Sequence, residues 1–277
     1  MTLAAEGSKK LSWARIAAWL APQAKVLGAF AGLLLVWEGA VRLFGVRAYI
    51  LPAPSVILSD LAKRAPTVAD AVLYTAQPML IGFAAAVVVG VLLALVVTFS
   101  RTLQAVIYPL IVFLQIVPKI AVAPLFIIWF GYGLTPKVLL VFLLSFFPIV
   151  VSAIQAFRSV DPDIMDLART TGASAWRVFW KVQAPHALPL LFTGFKVAAA
   201  LSATAAVVAE FVASDRGLGY LLLEYNNNMN TPMAFATVLV LSVMGLALYG
   251  VVEALERFAI PWHVSRRGAE AQLTGNP

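Results

Sequence analysis

Ionisable residues inside apolar stretches are the first candidates for chemistry in this sequence. Lys119 follows Pro118 in the middle of an apolar run, and Glu210 lies near the end of a later one. An ionisable group within a membrane is costly, so it usually faces a cavity or a partner rather than lipid. Pro118 removes a backbone hydrogen bond and favours a kink. If this run crosses a membrane, we expect Pro118 and Lys119 to line a cavity or path between helices, where Lys119 meets an acidic or electron-rich solute; the alternative is that Lys119 snorkels or pairs structurally.

Residue sets that perform catalysis or hold a metal are missing from the sequence. It contains no cysteine, and its two histidines, His186 and His263, are far apart. We find neither an H-E-x-x-H motif nor the G-x-x-x-x-G-K-[ST] loop that cradles nucleotide phosphates. We therefore expect a non-catalytic chain without a metal or cofactor of its own, whose energy must come from outside it.

The composition indicates an integral membrane protein built from helices. Hydrophobic residues make up 62% of the 277 residues and charged residues 12%, whereas soluble domains are about 25% charged. The apolar runs are long and do not alternate with polar residues, which favours helices over a β-barrel. Each run can cross a hydrocarbon core of about 30 Å. The sequence predicts an all-α membrane protein with six transmembrane helices, at 26–44, 73–99, 103–130, 138–157, 190–212 and 234–258.

The distribution of Lys and Arg predicts how these helices are oriented. The net charge of +7 comes from cations that flank the apolar runs, so it indicates membrane orientation rather than nucleic-acid binding. Placing the N-terminus in the cytoplasm puts most of the Lys and Arg residues on that side. The predicted organisation is a cytoplasmic segment at 1–25, a transmembrane domain at 26–258 with a cytoplasmic loop at 158–189, and a cytoplasmic tail at 259–277.

The cytoplasmic loop carries local signals for two short helices. Asp161 can cap the first helix, and Gly172 fits the left-handed residue that closes it. Ser174 can cap the second helix. We expect Pro185 and Pro189 to end that helix and to turn the chain back into the membrane.

The first of these short helices has the features of a docking surface. Ala168 and Gly172 lie four residues apart, so they share one face of the helix or its closing turn. Small residues at these positions let another surface approach the backbone, and Asp166 and Arg169 supply polar anchors beside it. The pattern predicts a short rigid knob for another protein's groove; the alternative is a generic amphipathic loop between two spans.

The spacing of this loop resembles a known motif. It reads Asp166-Leu167-Ala168, three residues, Gly172, nine residues and then Val182-Gln183-Ala184-Pro185. This resembles the "EAA" loop, E-A-A-x3-G-x9-I-x-L-P, of the permease subunits of ATP-binding-cassette (ABC) importers. Here Asp stands for the Glu of the motif, Leu for its first Ala, Val for its Ile and Ala for its Leu, whereas the second Ala, the Gly and the Pro are kept. The resemblance implies that Asp166, Ala168, Gly172 and Pro185, with Arg169 beside them, couple the chain to an ATPase.

Other stretches are similar to the same family, in its branch for nitrate, sulfonate, taurine and thiamine-precursor uptake. They are "YILPAPSVILSDL", "PKIAVAPLFIIWFGYG", "FFPIV" and "VVAEFVASDRGLGYLL". The resemblance implies a type I ABC importer permease (MetI-like) architecture in a bacterial inner membrane. It also implies that Glu210, Gly217 and Gly219 form a periplasmic gate; the alternative is that Glu210 supports packing.

The resemblance further implies partners and a cargo. The partners are a pair of ABC ATPase subunits that bind ATP and Mg²⁺, a second permease copy forming a homodimer, a periplasmic solute-binding protein and the lipid bilayer, with no nucleic acid. The cargo is a small polar solute: a thiamine-precursor pyrimidine, a riboflavin-like heterocycle, or a sulfonate- or nitrate-type anion.

Two other classes of protein stay open from the residues alone. One is a secondary transporter or channel without ATP coupling, although we see neither repeat symmetry nor paired broken helices. The other is an intramembrane enzyme.

Overall fold

The computed structural model describes residue 25 and residues 27–261, apart from the side chains of Arg101, Arg169 and Ala213. The predicted segment 1–25 therefore lies outside the described residues except for its last member, and so does the tail from residue 262 onward, with His263. The described part contains helices and loops and no strand. The helices are α1 at 27–43, α2 (Pro54–Lys63), α3 (Ala65–Phe99), α4 (Arg101–Ile116), α5 (Ala123–Phe130), α6 (Leu134–Phe157), α7 (Pro162–Thr170), α8 (Ala175–Val178), α9 (Ala184–Ala213), α10 (Leu218–Asn227) and α11 (Thr231–Ala259).

The long helices account for the predicted spans, and the all-α prediction is confirmed. Within the described residues, four helices are long and apolar enough to cross a membrane: α3, α6, α11 and the rod that joins α8 to α9. Helices α4 and α5 form a fifth span if the bent pair is counted as one. Helix α1 covers the first predicted span over 27–43, which is about 25 Å of helix.

The core of the bundle is α6, which packs between α3 and α9. Small residues allow this close approach: a Cβ on Gly82 would lie 2.7 Å from the Cβ of Val141, and one on Gly90 would lie 2.8 Å from Ile149. On α9, a Cβ on Gly194 would overlap Ser152 of α6. Helices in lipid gain little from the hydrophobic effect, so close van der Waals packing of this kind holds them together.

The bundle has two ends that differ in what they carry. At one end, called here the α7 end, α3, α6 and α11 finish and α7 and α8 lie beside them. At the other, the α10 end, α2 and α10 lie next to the end of α9 and the start of α11.

The structure corrects the prediction that Pro185 and Pro189 break the chain. Helix α8 runs into α9 through a π-helical turn, Phe179–Gln183, and Pro185 lies in the first turn of α9. A π-turn already departs from the regular hydrogen-bond ladder, so a proline without an N–H directly after it removes little. Pro189 lies inside α9, where its carbonyl accepts a hydrogen bond from Thr193 Oγ1 at 3.0 Å. The segment and the span are therefore one continuous rod.

Candidate coupling segment and translocation path

The segment between α6 and α9 has the local structure that its sequence predicts. The carboxylate of Asp161 accepts a hydrogen bond from the N–H of Asp163 at 2.9 Å as α7 begins. Gly172 has φ of +72° just after α7, and Ser174 Oγ accepts from the N–H of Arg177 at 3.4 Å at the start of α8. No other part of the described chain comes within 4 Å of the place where a Cβ on Gly172 would stand. Glycine is therefore needed there for its backbone angle, not for a contact inside this chain.

One aromatic residue fixes this segment to the spans. Phe179 is 2% exposed, and its ring lies 5.1 Å from that of Phe99 at the end of α3 and 5.6 Å from that of Phe157 at the end of α6. Trp176 of α8 stacks near it at 6.3 Å. The segment is thus anchored to α3 and α6 through one buried ring and is continuous with α9.

The outward face of the segment is apolar and exposed. Leu167 is 68% exposed and Trp176 64%, and Ile164 and Trp180 are about half exposed. These side chains lie at the α7 end, on short helices with charged neighbours, so lipid tails are not their natural cover. An exposed apolar patch beside polar residues is typical of a protein–protein contact.

The predicted coupling residues fall into two groups. Asp166, Ala168 and Gly172 lie on α7 or its closing turn, and the carbonyl of Ala168 accepts a hydrogen bond from Thr171 Oγ1 at 2.7 Å. Arg169 belongs to α7, but its side chain lies outside the described part. Pro185 lies beyond the π-turn, in α9. The structure therefore puts the first three on the exposed knob and Pro185 in the rod behind it.

A sharp break divides the third predicted span at Pro118. Helix α4 ends at Ile116, a 3-10 turn covers Lys119–Val122, and α5 starts at Ala123, with a bend of 82° between the two arms. Lys119 Nζ donates a hydrogen bond to the carbonyl of Gln115 at 2.8 Å. In an unbroken helix, that carbonyl would accept from the backbone N–H of residue 119. The side chain of Lys119 replaces the backbone bond that the break removes.

This break lies level with the middle of α6, at the surface of the described bundle, and is only partly covered. Lys119 Nζ stands 4.8 Å from the centre of the Phe147 ring, and Phe147 is near the middle of α6. Ile116 is 79% exposed and Ile120 54%. Irregular backbone at membrane depth is tolerated where protein covers it or where it lines a water-filled cavity. The described chain does not supply the whole cover, so a second protein surface or a path must do so.

The three residues predicted for a gate come together at the α10 end. Glu210 is 1% exposed, and its Oε2 accepts a hydrogen bond from the N–H of Gly219 at 2.6 Å. Gly217 has φ of +105°, and a Cβ there would overlap the Glu210 carboxylate. A Cβ on Gly219 would lie 2.8 Å from the carbonyl of Val207 and from Glu210 Cβ. Both glycines are therefore required by the close approach of this carboxylate.

Two further residues of this cluster were missed by sequence reasoning. Thr75 of α3 is fully buried, and its Oγ1 accepts from the N–H of Leu218 at 2.8 Å. Lys137 of α6 is 4% exposed, and its Nζ bonds Ser214 Oγ at 2.6 Å within electrostatic range of Glu210. Among described residues, Glu210 Oε1 has no hydrogen-bond partner. We call Thr75, Lys137, Glu210, Gly217 and Gly219 the Glu210 cluster; it ties α3, α6, α9 and α10 together.

Sequence reasoning also missed an ion pair between α9 and α11. Lys196 of α9 forms an ion pair with Glu256 of α11, and both side chains are largely buried. The signal was present in the sequence, because Lys196 interrupts an apolar run in the same way as Lys119 does.

Comparisons with known proteins agree with this geometry. Residues 86–260 match the family described as "binding-protein-dependent transport system inner membrane component". The chain is 32% identical to the formylaminopyrimidine transport permease ThiX of Halalkalibacterium halodurans, covering 84% of this chain and 93% of that one. It is 36% identical to the riboflavin transport permease RibX of Chloroflexus aurantiacus, over 84% and 88%. It is 31% identical to the taurine transport permease TauC of Escherichia coli, over 86% and 89%.

A solved structure shares the fold. The inward-facing MetNI methionine ABC transporter superposes with a TM-score of 0.62 over 70% of this chain and 97% of the compared chain, at 15% identity. The MetI-like architecture expected from the sequence is confirmed by this match. The chain belongs to the binding-protein-dependent transport inner membrane component family and is a multi-pass permease subunit of an ABC importer in the inner membrane.

Proposed function

We propose that the knob formed by α7 and its closing turn docks on a separate ABC ATPase, which binds ATP and Mg²⁺ and drives import. Asp166, Ala168, Arg169 and Gly172 contribute the contact, and Pro185 lies in the rod that transmits it. The observation that carries this proposal is the unbroken run from α8 through the π-turn into α9, anchored by Phe179. The knob leads into this run through the turn at 171–174, so a displacement of the knob reaches α9 through α8, which is the rigid-body coupling that alternating access needs.

The docking proposal implies which end of the bundle faces the cytoplasm and which residues lie outside the membrane. The α7 end faces the cytoplasm together with both termini, and the α10 end faces the binding protein that delivers the solute. The cytoplasmic parts are 1–25, the loop 158–189 and 259–277, around a transmembrane domain at 26–258. The excess of Lys and Arg on the side of the α7 end supports this orientation.

A second copy of the chain completes the path in this proposal. Helices α4 and α5 expose large apolar side chains along both arms, among them Phe113 and Ile128, and the break between the arms is not fully covered. A homodimer covers this face and places two copies of Pro118 and Lys119 along a shared path. The Glu210 cluster, with Gly217 and Gly219, forms the gate at the α10 end.

The cargo is proposed from relatives that the chain resembles. Their names give a formylaminopyrimidine, riboflavin and taurine as transported compounds. The proposed solute is a small polar molecule of one of these kinds: a thiamine-precursor pyrimidine, a riboflavin-like heterocycle or a sulfonate- or nitrate-type anion.

The test of the docking proposal is a pair of matched substitutions. Gly172→Val places a β-branched residue at φ of +72°, and Gly45→Val places one at φ of +59° in equally open surroundings at the other end of the bundle. Each change costs on the order of 1–2 kcal/mol in backbone strain. We expect Gly172→Val to insert in the membrane yet to lose ATPase binding and ATP-driven uptake, while Gly45→Val keeps both. Equal uptake by the two variants would contradict the docking proposal.

A further inference from the structure

A groove lies between α9 and α11, with α10 closing one side. It is open on one side and has a volume of about 460 Å³, which is in the range of small-molecule sites. Most of its described lining is apolar, for example Ala200, Leu241 and Leu246. Hydroxyl groups are supplied by Thr204, Ser242 and Tyr249.

The groove lies at membrane depth. A Cβ on Gly245 would stand 3.1 Å from the Cβ of Ala203, so the two helices run closely side by side there. They are antiparallel, because α9 runs toward the α10 end and α11 runs away from it. Ser242 is near the middle of α11. Thr204 and Ser242 therefore lie well inside the span; the Ser242 hydroxyl donates to the carbonyl of Val238 at 2.8 Å, and its oxygen can still accept a hydrogen bond.

The ion pair between Lys196 and Glu256 lies beyond the end of this groove that is nearer the α7 end. Lys196 precedes Thr204 by two helical turns on α9, and its Nζ stands 5.8 Å from the centre of the Tyr249 ring, which lines the groove. Its partner Glu256 lies two turns beyond Tyr249 on α11. An ionisable residue within a span, such as Lys196, is a candidate for a functional site by default.

The chemistry of the groove selects among solutes. Its apolar walls and the Tyr249 ring suit a flat ring, which can pack or stack on them. Lys196 offers donors and Glu256 offers acceptors, so the pair can meet both carbonyl and amino edges. The pair is neutral as a whole and gives no net positive field, so it does not favour a small inorganic or sulfonate anion.

We propose that this groove is the solute subsite of the permease and that it takes a planar heterocycle bearing amino or carbonyl groups. The inference rests on the proposed function, since it needs the chain to line a path. The hydroxyl groups and the ion pair distinguish a solute from the other occupants: an acyl chain of a lipid gains nothing from them. A second copy of the chain packed into the groove would exclude water, so a thiol placed there would not react with a water-soluble reagent.

The test uses the absence of cysteine from the wild-type chain. Ser242→Cys puts a thiol of nearly the same size in the groove, and Val243→Cys puts one on the next residue, which is 58% exposed but does not line the groove. Each variant is assembled into the complete importer in nanodiscs and treated with a charged, membrane-impermeant thiosulfonate in the presence and absence of ATP. Both faces of the disc are open to the reagent, so the orientation of the chain does not affect the result.

We expect Ser242→Cys to react in at least one nucleotide state and Val243→Cys to stay unreactive in lipid. Formylaminopyrimidine or riboflavin should slow the reaction of Ser242→Cys about tenfold at ten times its dissociation constant, because the free fraction falls by that factor. Taurine should not slow it. Thr204→Cys, on the opposite wall of the groove, should show the same reactivity and protection. It replaces Ser242→Cys in the experiment if that variant does not assemble.

Each other outcome overturns the proposal. Unreactive Ser242→Cys and Thr204→Cys in an importer that still transports show that the groove is dry and filled by lipid or a second copy. Reaction without protection by either heterocycle shows a wetted groove that does not bind them, and protection by taurine alone reverses the selectivity. A wild-type importer without ATP-driven uptake would instead contradict the proposed function. Failure of the groove proposal and failure of the proposed function therefore give different results.

Discussion

The coupling segment and the Glu210 cluster both depend on glycine, but for different physical reasons. Gly172 has a left-handed backbone angle and open space around it, on a helix whose apolar side chains are exposed. Gly217 and Gly219 are packed against a buried carboxylate that fills the place of a side chain. The first arrangement leaves a surface for another protein, and the second locks four helices of this chain. The open surroundings of Gly172 thus indicate a surface that another protein contacts, whereas the close packing at Gly217 and Gly219 stabilises this chain itself.

The largest effect is expected at the residue that joins the exposed knob to the buried bundle. Phe179→Ala should lower the free energy of unfolding by about 3–5 kcal/mol, as for other buried Phe truncations. Trp176→Ala, which removes a mostly exposed ring one turn earlier, should cost under about 1 kcal/mol. Denaturant titration in mixed micelles measures both. Similar losses for the two variants would mean that the knob is not anchored through Phe179.

The glycine comparison itself is tested by adding one methyl group at each end. Gly217→Ala should destabilise the chain by about 3 kcal/mol, because it displaces the Glu210 side chain from its hydrogen bond with the N–H of Gly219 and also strains the backbone. Gly172→Ala should cost only the strain, about 1 kcal/mol. The same titration applies. Equal losses in free energy of unfolding for the two variants would contradict the proposal that Gly217 is required by a close contact and Gly172 only by its backbone angle.

A double substitution sharpens the assignment of Glu210. If its carboxylate is what excludes a side chain from position 217, Glu210→Ala should relieve the clash of Gly217→Ala. The double variant should then be more stable than the sum of the single losses predicts, by about 1–2 kcal/mol. Gly172→Ala combined with Glu210→Ala is the control and should be additive. Additivity at position 217 would show that the clash lies elsewhere.

The smallest stability change is expected at the break in the third span. Lys119→Gln keeps a donor for the carbonyl of Gln115, so we expect a loss of about 1 kcal/mol or less. If Lys119 also meets the solute, uptake should fall although the chain is intact. Uptake at a given level of inserted protein is the readout. Unchanged uptake would leave Lys119 with the structural role that its contacts with Gln115 and Phe147 already show.

The local features of the fold could be predicted because short-range chemistry decides them. Asp161, Gly172 and Ser174 occupy the cap and turn positions that their side chains favour, and the long apolar runs became the spans. Pro185 and Pro189 misled the prediction, because a π-turn absorbed the lost hydrogen bond without ending the helix. Proline chemistry alone does not tell a break from a continuous helix with one irregular turn.

The sites depend on contacts between residues far apart in sequence, and these could be predicted only in part. Glu210, Gly217 and Gly219 were grouped correctly because they are close together along the chain. Thr75 and Lys137 join them only after α3 and α6 have packed. Lys196 was visible as a charge within an apolar run, but its partner sixty residues later was not.

The most direct test of the central claim is whether a nucleotide-hydrolysing partner covers α7. Leu167→Cys, on α7, and Met229→Cys, which is 79% exposed at the α10 end, are each reacted with a water-soluble thiol reagent, with and without the ATPase subunits. The account predicts that the ATPase protects Leu167→Cys and leaves Met229→Cys unchanged. Protection of Met229→Cys with full reactivity of Leu167→Cys would contradict it.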